Sequence, residues 1–245
     1  MIKMCYNITI GQGKVQKTRK EKYLKKHFYL MLDTETIGLD EPLVYDVGFA
    51  VIDREGNVYE SYSYVVQEIF YGMPEKMKSA YYACKIPEYY SDIERGTRKV
   101  GRFFFIQGVI NQLLIKYQIK AVIAHNMRFD YNALNYTARY ISGGIRKYFF
   151  PYGTDIWCTL AMARSIMYKK PVYKQWCIEH EFIQQKNKQP RMTAEILYRF
   201  ISGIEDFEER HTGIEDVMIE AQIFAYLVRQ HKPMKRHYWN EKKRG

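Results

Sequence analysis

The sequence contains no apolar run that approaches the length of a bilayer-spanning helix, which sets aside a membrane-embedded chain and a membrane partner. Its first residues, Met1-Ile2-Lys3-Met4-Cys5-Tyr6-Asn7, lack the apolar stretch of a secretory signal. Cysteine is scarce: four residues, Cys5, Cys84, Cys158 and Cys177, stand far apart without a C-x-x-C pair. Zinc coordination is thereby disfavoured, and a reduced, cytoplasmic setting is the expectation. There is no internal repeat and no low-complexity linker. Acid is in short supply, 27 Asp and Glu against 38 Lys and Arg, for a formal charge of +11. A basic balance suits a polyanion such as nucleic acid, although a solvated basic surface has the same composition.

What is present is enough for a sizeable core: 245 residues, of which 47% are hydrophobic. Residues 1–27 read as a basic arm, 28–232 as one folded domain and 233–245 as a basic tail. Phe28-Tyr29-Leu30-Met31-Leu32 reads as a buried strand, Leu43–Asp53 as a second, and Val58–Ile69 as a third after the turn Arg54-Glu55-Gly56-Asn57. Segment 72–100 mixes tyrosines with Lys and Arg. It reads as a helical connection with most tyrosines packed on the sheet, or as one lining of a nucleic-acid groove. Helical spacing predicts helices over Phe103–Tyr117, Phe129–Ile141, Leu160–Tyr168, Ala194–Ile201 and Ile214–Arg229. Short strands are predicted at Ala121–Ala124 and Thr154–Trp157. The order β-β-β-α-β-α-β-α-α-α describes a mixed α/β domain.

The acids are not scattered evenly over these elements. The first strand runs into Leu32-Asp33-Thr34-Glu35-Thr36-Ile37-Gly38-Leu39, and alternation puts Asp33 and Glu35 on one face. Two close carboxylates stay ionised together only with something positive between them, and hard oxygen ligands suit Mg²⁺ or Mn²⁺. A solvated acidic turn ended by Gly38 is the alternative. Asp130 shares a helix stripe with Ala133, Leu134, Ala138 and Ile141, so it faces the core or caps the helix start. On the last helix Asp216 lies in line with Ile219, Ile223 and Leu227, whereas Glu215 shares a polar face with Gln222 and Arg229. Asp216 is therefore the inward acid, with Glu220, one turn on, a weaker competitor. His211 stands five residues before Asp216, where it either serves a site or lies on the surface. Four carboxylates on three elements, with a histidine, are the parts of a two-metal hydrolytic site.

The chain resembles the DEDDh branch of the DnaQ-like 3′–5′ exonucleases. The resemblance rests on Asp33-Thr34-Glu35-Thr36-x-Gly38-Leu39, His125-Asn126-x-x-Phe129-Asp130 and His211-Thr212-x-x-x-Asp216. The related DEDDy branch places a tyrosine four residues before the last acid, where this chain has Thr212. Gly213 and Val217 depart from the small alanines common around the third motif, and Cys158-Thr159-Leu160 stands where many members carry Asp-Thr-Leu. The resemblance implies an RNase H-like α/β fold, a mixed five-stranded central sheet flanked by helices, with the second strand antiparallel. It implies that Asp33, Glu35, Asp130 and Asp216 hold two Mg²⁺ or Mn²⁺ ions, that His211 is the general base, and that nucleoside 5′-monophosphates are released. Thr34, Thr36, Ile37 and Asn126 are the implied contacts to the terminal nucleotide. Single-stranded DNA is favoured over RNA as substrate, with any polymerase partner a separate chain. A catalytically silent nucleic-acid-binding module on the same fold is the competing class.

Overall fold

In a computed structural model that describes residues 26–237, one mixed sheet carries helices on both faces. Strands β1 (Phe28–Thr36), β2 (Val44–Asp53) and β3 (Val58–Val66) form an antiparallel meander. Gly56 turns β2 into β3 at φ +85°, a conformation that suits a residue without Cβ. Helix α1 (Gln67–Phe70), α2 (Pro74–Lys78), a 3₁₀ turn at Ala83–Lys85 and α3 (Ile86–Glu94) follow. The short strand β4 (Lys99–Gly101) then pairs in parallel with the end of β3. Helix α4 (Phe103–Lys116), β5 (Val122–Ala124), α5 (Arg128–Ile141), β6 (Ile156–Cys158), α6 (Thr159–Met167), α7 (Pro171–Glu179), α8 (Ala194–Ser202) and α9 (Gly213–Arg229) complete the described chain. The sheet order is β4-β3-β2-β1-β5-β6, with β1, β5 and β6 parallel and β2 antiparallel to both neighbours.

The mixed α/β class and the antiparallel second strand agree with expectation; the sheet has six strands rather than five. The addition is β4, three residues long and without an alternation that sequence could reveal. The third strand stops at Val66 instead of Ile69, because Ile69 and Phe70 reach the core from a helical turn. Helix α7 opens on Pro171, whose fixed φ suits a first helical position. No helix among the described residues is long and apolar enough to cross a membrane. Cys84 is exposed, Cys158 and Cys177 are buried, and all three are free thiols. The expected arm over 1–27 lies, except for its last two residues, outside the described residues. The start of the 233–245 tail returns to the sheet, where the Cys158 amide donates to the Arg236 carbonyl at 2.6 Å.

Each face of the sheet has its own apolar cluster. Leu30 and Leu32 of β1, with Val47, Phe49 and Val51 of β2, pack toward α4, α5 and the 67–101 segment. Tyr29 and Met31, with Ala50 and Ile52, pack toward α6 to α9, and Tyr29 meets Phe224 edge-on at 5.0 Å. All ten residues of β2 are buried, as a strand covered on both faces requires. Complete burial of side chains of this size contributes about 1.5–3 kcal/mol each. The C-terminal end of β1 is thus fixed from both sides, and the period of two sends Asp33 and Glu35 to the α9 face and Thr34 to the α5 face.

Candidate active site

The site forms where β1 runs out of partners. Its pairing with β2 slips by one residue between Glu35 and Thr36, a bulge that ends the ladder and re-aims the strand. Carboxylate oxygens of Asp33, Glu35 and Asp216 lie within 4.8 Å of one another. Asp216 is brought there by α9, which packs on β2 and β1. The close approach depends on two glycines: a Cβ on Gly48 would lie 2.1 Å from the Gly213 carbonyl carbon, and a Cβ on Gly213 2.6 Å from the Gly48 nitrogen. The departure from a small alanine at 213 therefore has a steric reason. Thr212 is the N-cap of α9, and its hydroxyl donates to Glu215. That contact turns Glu215 outward and leaves Asp216, 5% exposed, on the inner face.

Asp130, in the first turn of α5, is 2% exposed and accepts from the Thr34 amide at 3.1 Å and the Thr34 hydroxyl at 2.9 Å, both at Oδ1. It lies outside the tight trio but lines the same cavity. That cavity has a volume of about 1190 Å³ and is also lined by Thr36, Ile37, Asn126, His211 and Glu220. All nine residues singled out in the sequence are thus brought to one cavity. Thr34 has a further task there, because its hydroxyl is committed to Asp130. Thr36 donates to the Gly38 carbonyl at 3.1 Å, and Asn126 turns the chain into α5 at φ +61°.

Burial is the first cause of the raised pKa values in this corner, and for Asp33, Glu35 and Asp216 neighbouring carboxylates are the second. Asp33 is held well above the usual carboxylate range by burial, then by Asp130 and Glu220. Glu35 is pushed up to about 9 by burial, then by Asp46 and Asp216. Asp216 is pushed up to about 8 by burial, then by Glu209 and Glu215, and burial raises Asp130 to about 7. Among the described residues, no side chain forms an ion pair or a hydrogen bond with Asp33, Glu35 or Asp216, and Lys85 acts on Asp216 only at longer range. Buried acids without such partners hold their protons at neutral pH, and they ionise together only when a positive charge is brought from outside. Hard, oxygen-only donors converging in an open cavity fit Mg²⁺ or Mn²⁺ better than a softer ion.

His211 sits before the N-cap of α9 with φ +51°, a conformation uncommon for a residue with a Cβ. Its Nδ1 is 3.9 Å from Glu209, and one face of its ring stacks on Tyr82 at 4.6 Å. Burial, then Lys85, lowers its pKa, so the ring is neutral at neutral pH and able to take a proton. His125 belongs to the scaffold: Nε2–H donates to the Met192 carbonyl at 2.7 Å, and Nδ1 lies 3.0 Å from the Thr159 hydroxyl. Burial lowers its pKa to about 4, which keeps the imidazole neutral.

No protein-family model matches the chain, and no curated protein matches it. Solved structures do match. The zinc-bound form of an E. coli exonuclease I–single-stranded DNA complex is 17% identical over 84% of this chain and 41% of that one, with a TM-score of 0.52. E. coli exonuclease I in complex with a 5cy-dT13 oligonucleotide is 18% identical, over 85% of this chain and 41% of that one, with a TM-score of 0.50. Exonuclease X in complex with 5′ overhanging duplex DNA matches more loosely, at 14% identity over 82% of this chain and 92% of that one, with a TM-score of 0.40. The fold is shared with exonuclease I. The chain spans 41% of the length of those exonuclease I structures.

One further acid was ranked second in the sequence, and two residues escaped it. Glu220 is 3% exposed in the cavity wall, and its Oε2 accepts from the His125 amide at 3.0 Å. Its spacing of four from Asp216 made it the weaker competitor in the sequence, since helix residues four apart share a face; the structure turns both acids inward. Glu209, raised to about 7 by burial and then Glu195, and Tyr82 lie outside regular strand or helix, where no periodicity marks them.

Proposed function

We propose that this protein is a metal-dependent 3′–5′ exonuclease that releases nucleoside 5′-monophosphates from single-stranded DNA ends. The observation that carries the reading is the convergence of Asp33, Glu35 and Asp216 within 4.8 Å, without an ion pair among the described residues, in a cavity shared with Asp130 and His211. The fold held in common with exonuclease I supports it, and so does the charge of +11, which suits a polyanionic substrate. Asp33, Glu35 and Asp216, with Asp130 beside them, would hold two Mg²⁺ or Mn²⁺ ions. Such ions, when bound, polarise the phosphodiester and lower the pKa of bound water.

The remaining work falls to the protein. His211, neutral and able to accept a proton, is the general base for the attacking water. Thr34 fixes Asp130 through two hydrogen bonds and so holds the end of β1 to the start of α5. Thr36, Ile37 and Asn126 line the space for the terminal nucleotide. Arg164 and Arg191 stand in the same cavity wall, exposed and without an ion pair among the described residues, as seats for backbone phosphates.

The deciding assay uses a labelled single-stranded DNA oligonucleotide and an RNA of the same sequence, each with Mg²⁺ or Mn²⁺. Mononucleotide release from the 3′ end of DNA, abolished by EDTA and by Asp33→Ala, is the expected result. Faster release from RNA would transfer the reading to an RNA exonuclease, since the 2′-hydroxyl is the difference between the two strands. Binding of both strands without cleavage of either would leave a silent binding module.

A further inference from the structure

The tyrosine-rich segment between β3 and α4 has no role in the chemistry above, yet it touches the site twice. At its far end Arg98 is buried and donates through Nη1 to Asp46 Oδ2 at 2.7 Å, with its guanidinium 4.2 Å above the Tyr89 ring. The same Asp46 oxygen accepts from the Tyr89 hydroxyl at 2.8 Å and from the Gly213 amide at 3.0 Å. One carboxylate oxygen thus ties the segment to the first residue of α9, two positions after His211. Near the middle of the segment the Tyr82 ring lies parallel to the His211 imidazole, at 15° and 4.6 Å between centroids. Tyr81, 80% exposed and perpendicular to Tyr82, lines the cavity beside it.

His211 needs such support. It belongs to the irregular stretch between α8 and α9, and its left-handed backbone is uncommon for a residue with a side chain. Glu209 at 3.9 Å approaches an edge of the ring, which leaves rotation about the side-chain bonds unopposed. A flat ring stacked on one face opposes it.

We propose that Tyr82 is a positioning residue for His211, and that segment 67–101, anchored through Arg98 and Asp46, exists in this chain to deliver that ring. The kinetic consequence rests on the exonuclease reading; the structural one does not. A base displaced by about an ångström loses on the order of 10²-fold in rate, whereas substrate binding is unaffected by the base's orientation.

The test compares wild type with Tyr82→Ala, Tyr82→Leu and Tyr82→Phe. The first readout is the histidine ring region of the NMR spectrum of the metal-free protein, with the His211 signals assigned by their loss in His211→Gln. Wild type and Tyr82→Phe are expected to show His211 ring protons shifted upfield by the stacked ring. In Tyr82→Ala and Tyr82→Leu they return to the position of an unstacked imidazole, while the melting temperature of Tyr82→Leu stays near that of wild type. The second readout is single-strand cleavage. Here kcat is expected to fall roughly 10- to 100-fold in Tyr82→Ala and Tyr82→Leu with KM within about twofold, and to be restored by Tyr82→Phe. His211 signals that do not move would overturn the proposal. So would an unchanged kcat, a loss confined to KM, or a Phe variant as poor as Ala. If wild type cleaves nothing, the exonuclease reading fails, and the ring signals still decide whether Tyr82 holds His211.

Discussion

Glu35 and Asp46 stand directly across from each other on β1 and β2, two acids on one face of an antiparallel pair. Like charges so placed are destabilising, and the protein treats the two differently. Asp46 is fully buried and receives a guanidinium, a phenol and a backbone amide at one oxygen. Glu35 receives none of these, and it shares its surroundings with Asp33 and Asp216. The buried guanidinium nearby, that of Arg98, is spent one strand away on a structural acid. Neutralising Asp46 holds α9 in place, whereas neutralising the trio from within would remove its affinity for a divalent ion.

The largest expected effect comes from breaking the ion-paired half of this pair. Arg98→Met leaves the Asp46 charge buried and uncompensated, at a cost of about 3–5 kcal/mol in urea denaturation. Adding Asp46→Asn to Arg98→Met is expected to recover part of the loss, and a double variant as unstable as the single one would show that Arg98 acts through packing. Changing the unsatisfied half acts on chemistry. Asp33→Ala is expected to abolish mononucleotide release with no loss of melting temperature in metal-free protein.

Gly48→Ala drives a methyl group into the α9 backbone and is expected to cost about 1–3 kcal/mol, with a fall in activity that exceeds the loss of fold. Glu35 sharpens the contrast through pH. Its folded pKa of about 9 lies above its ordinary 4.5, so its contribution is complete below about pH 4.5 and is lost as pH rises toward 9. In metal-free protein, Glu35→Gln is therefore expected to gain at least about 1 kcal/mol relative to wild type between about pH 5 and pH 8, and saturating Mg²⁺ should erase that advantage. The smallest effect belongs to the exposed arginines that line the cavity. Arg164→Ala or Arg191→Ala should reduce the slope of log affinity against log salt by roughly 0.7 for single-stranded DNA and leave kcat unchanged.

Legibility followed the same division. The strands that carry Asp33, Glu35 and Asp46 were visible because short apolar runs bounded by turn residues are a local signal. Asp216 was distinguished from Glu215 by helix periodicity alone, and the capping contact of Thr212 with Glu215 gives that distinction a physical basis. The 67–101 segment resisted the same treatment. Its helices are short, its strand is three residues long, and the burial of Tyr89 beside the exposure of Tyr81 follows no period.

Local chain chemistry was enough to locate five of the six strands, the apolar face of the long helices, and Asp33, Glu35 and Asp216 as acids that share a face or turn inward. Those properties depend on neighbours within a turn or two of chain, and the backbone repeat fixes them. Which of the buried acids receives a partner is settled by how the elements dock. That choice depends on Arg98 reaching a residue 52 positions away, on two glycines that let α9 touch β2, and on a tyrosine from an irregular segment lying flat against His211. Contacts of this kind leave no periodic trace, because they are set by where whole elements dock rather than by the repeat of any one of them.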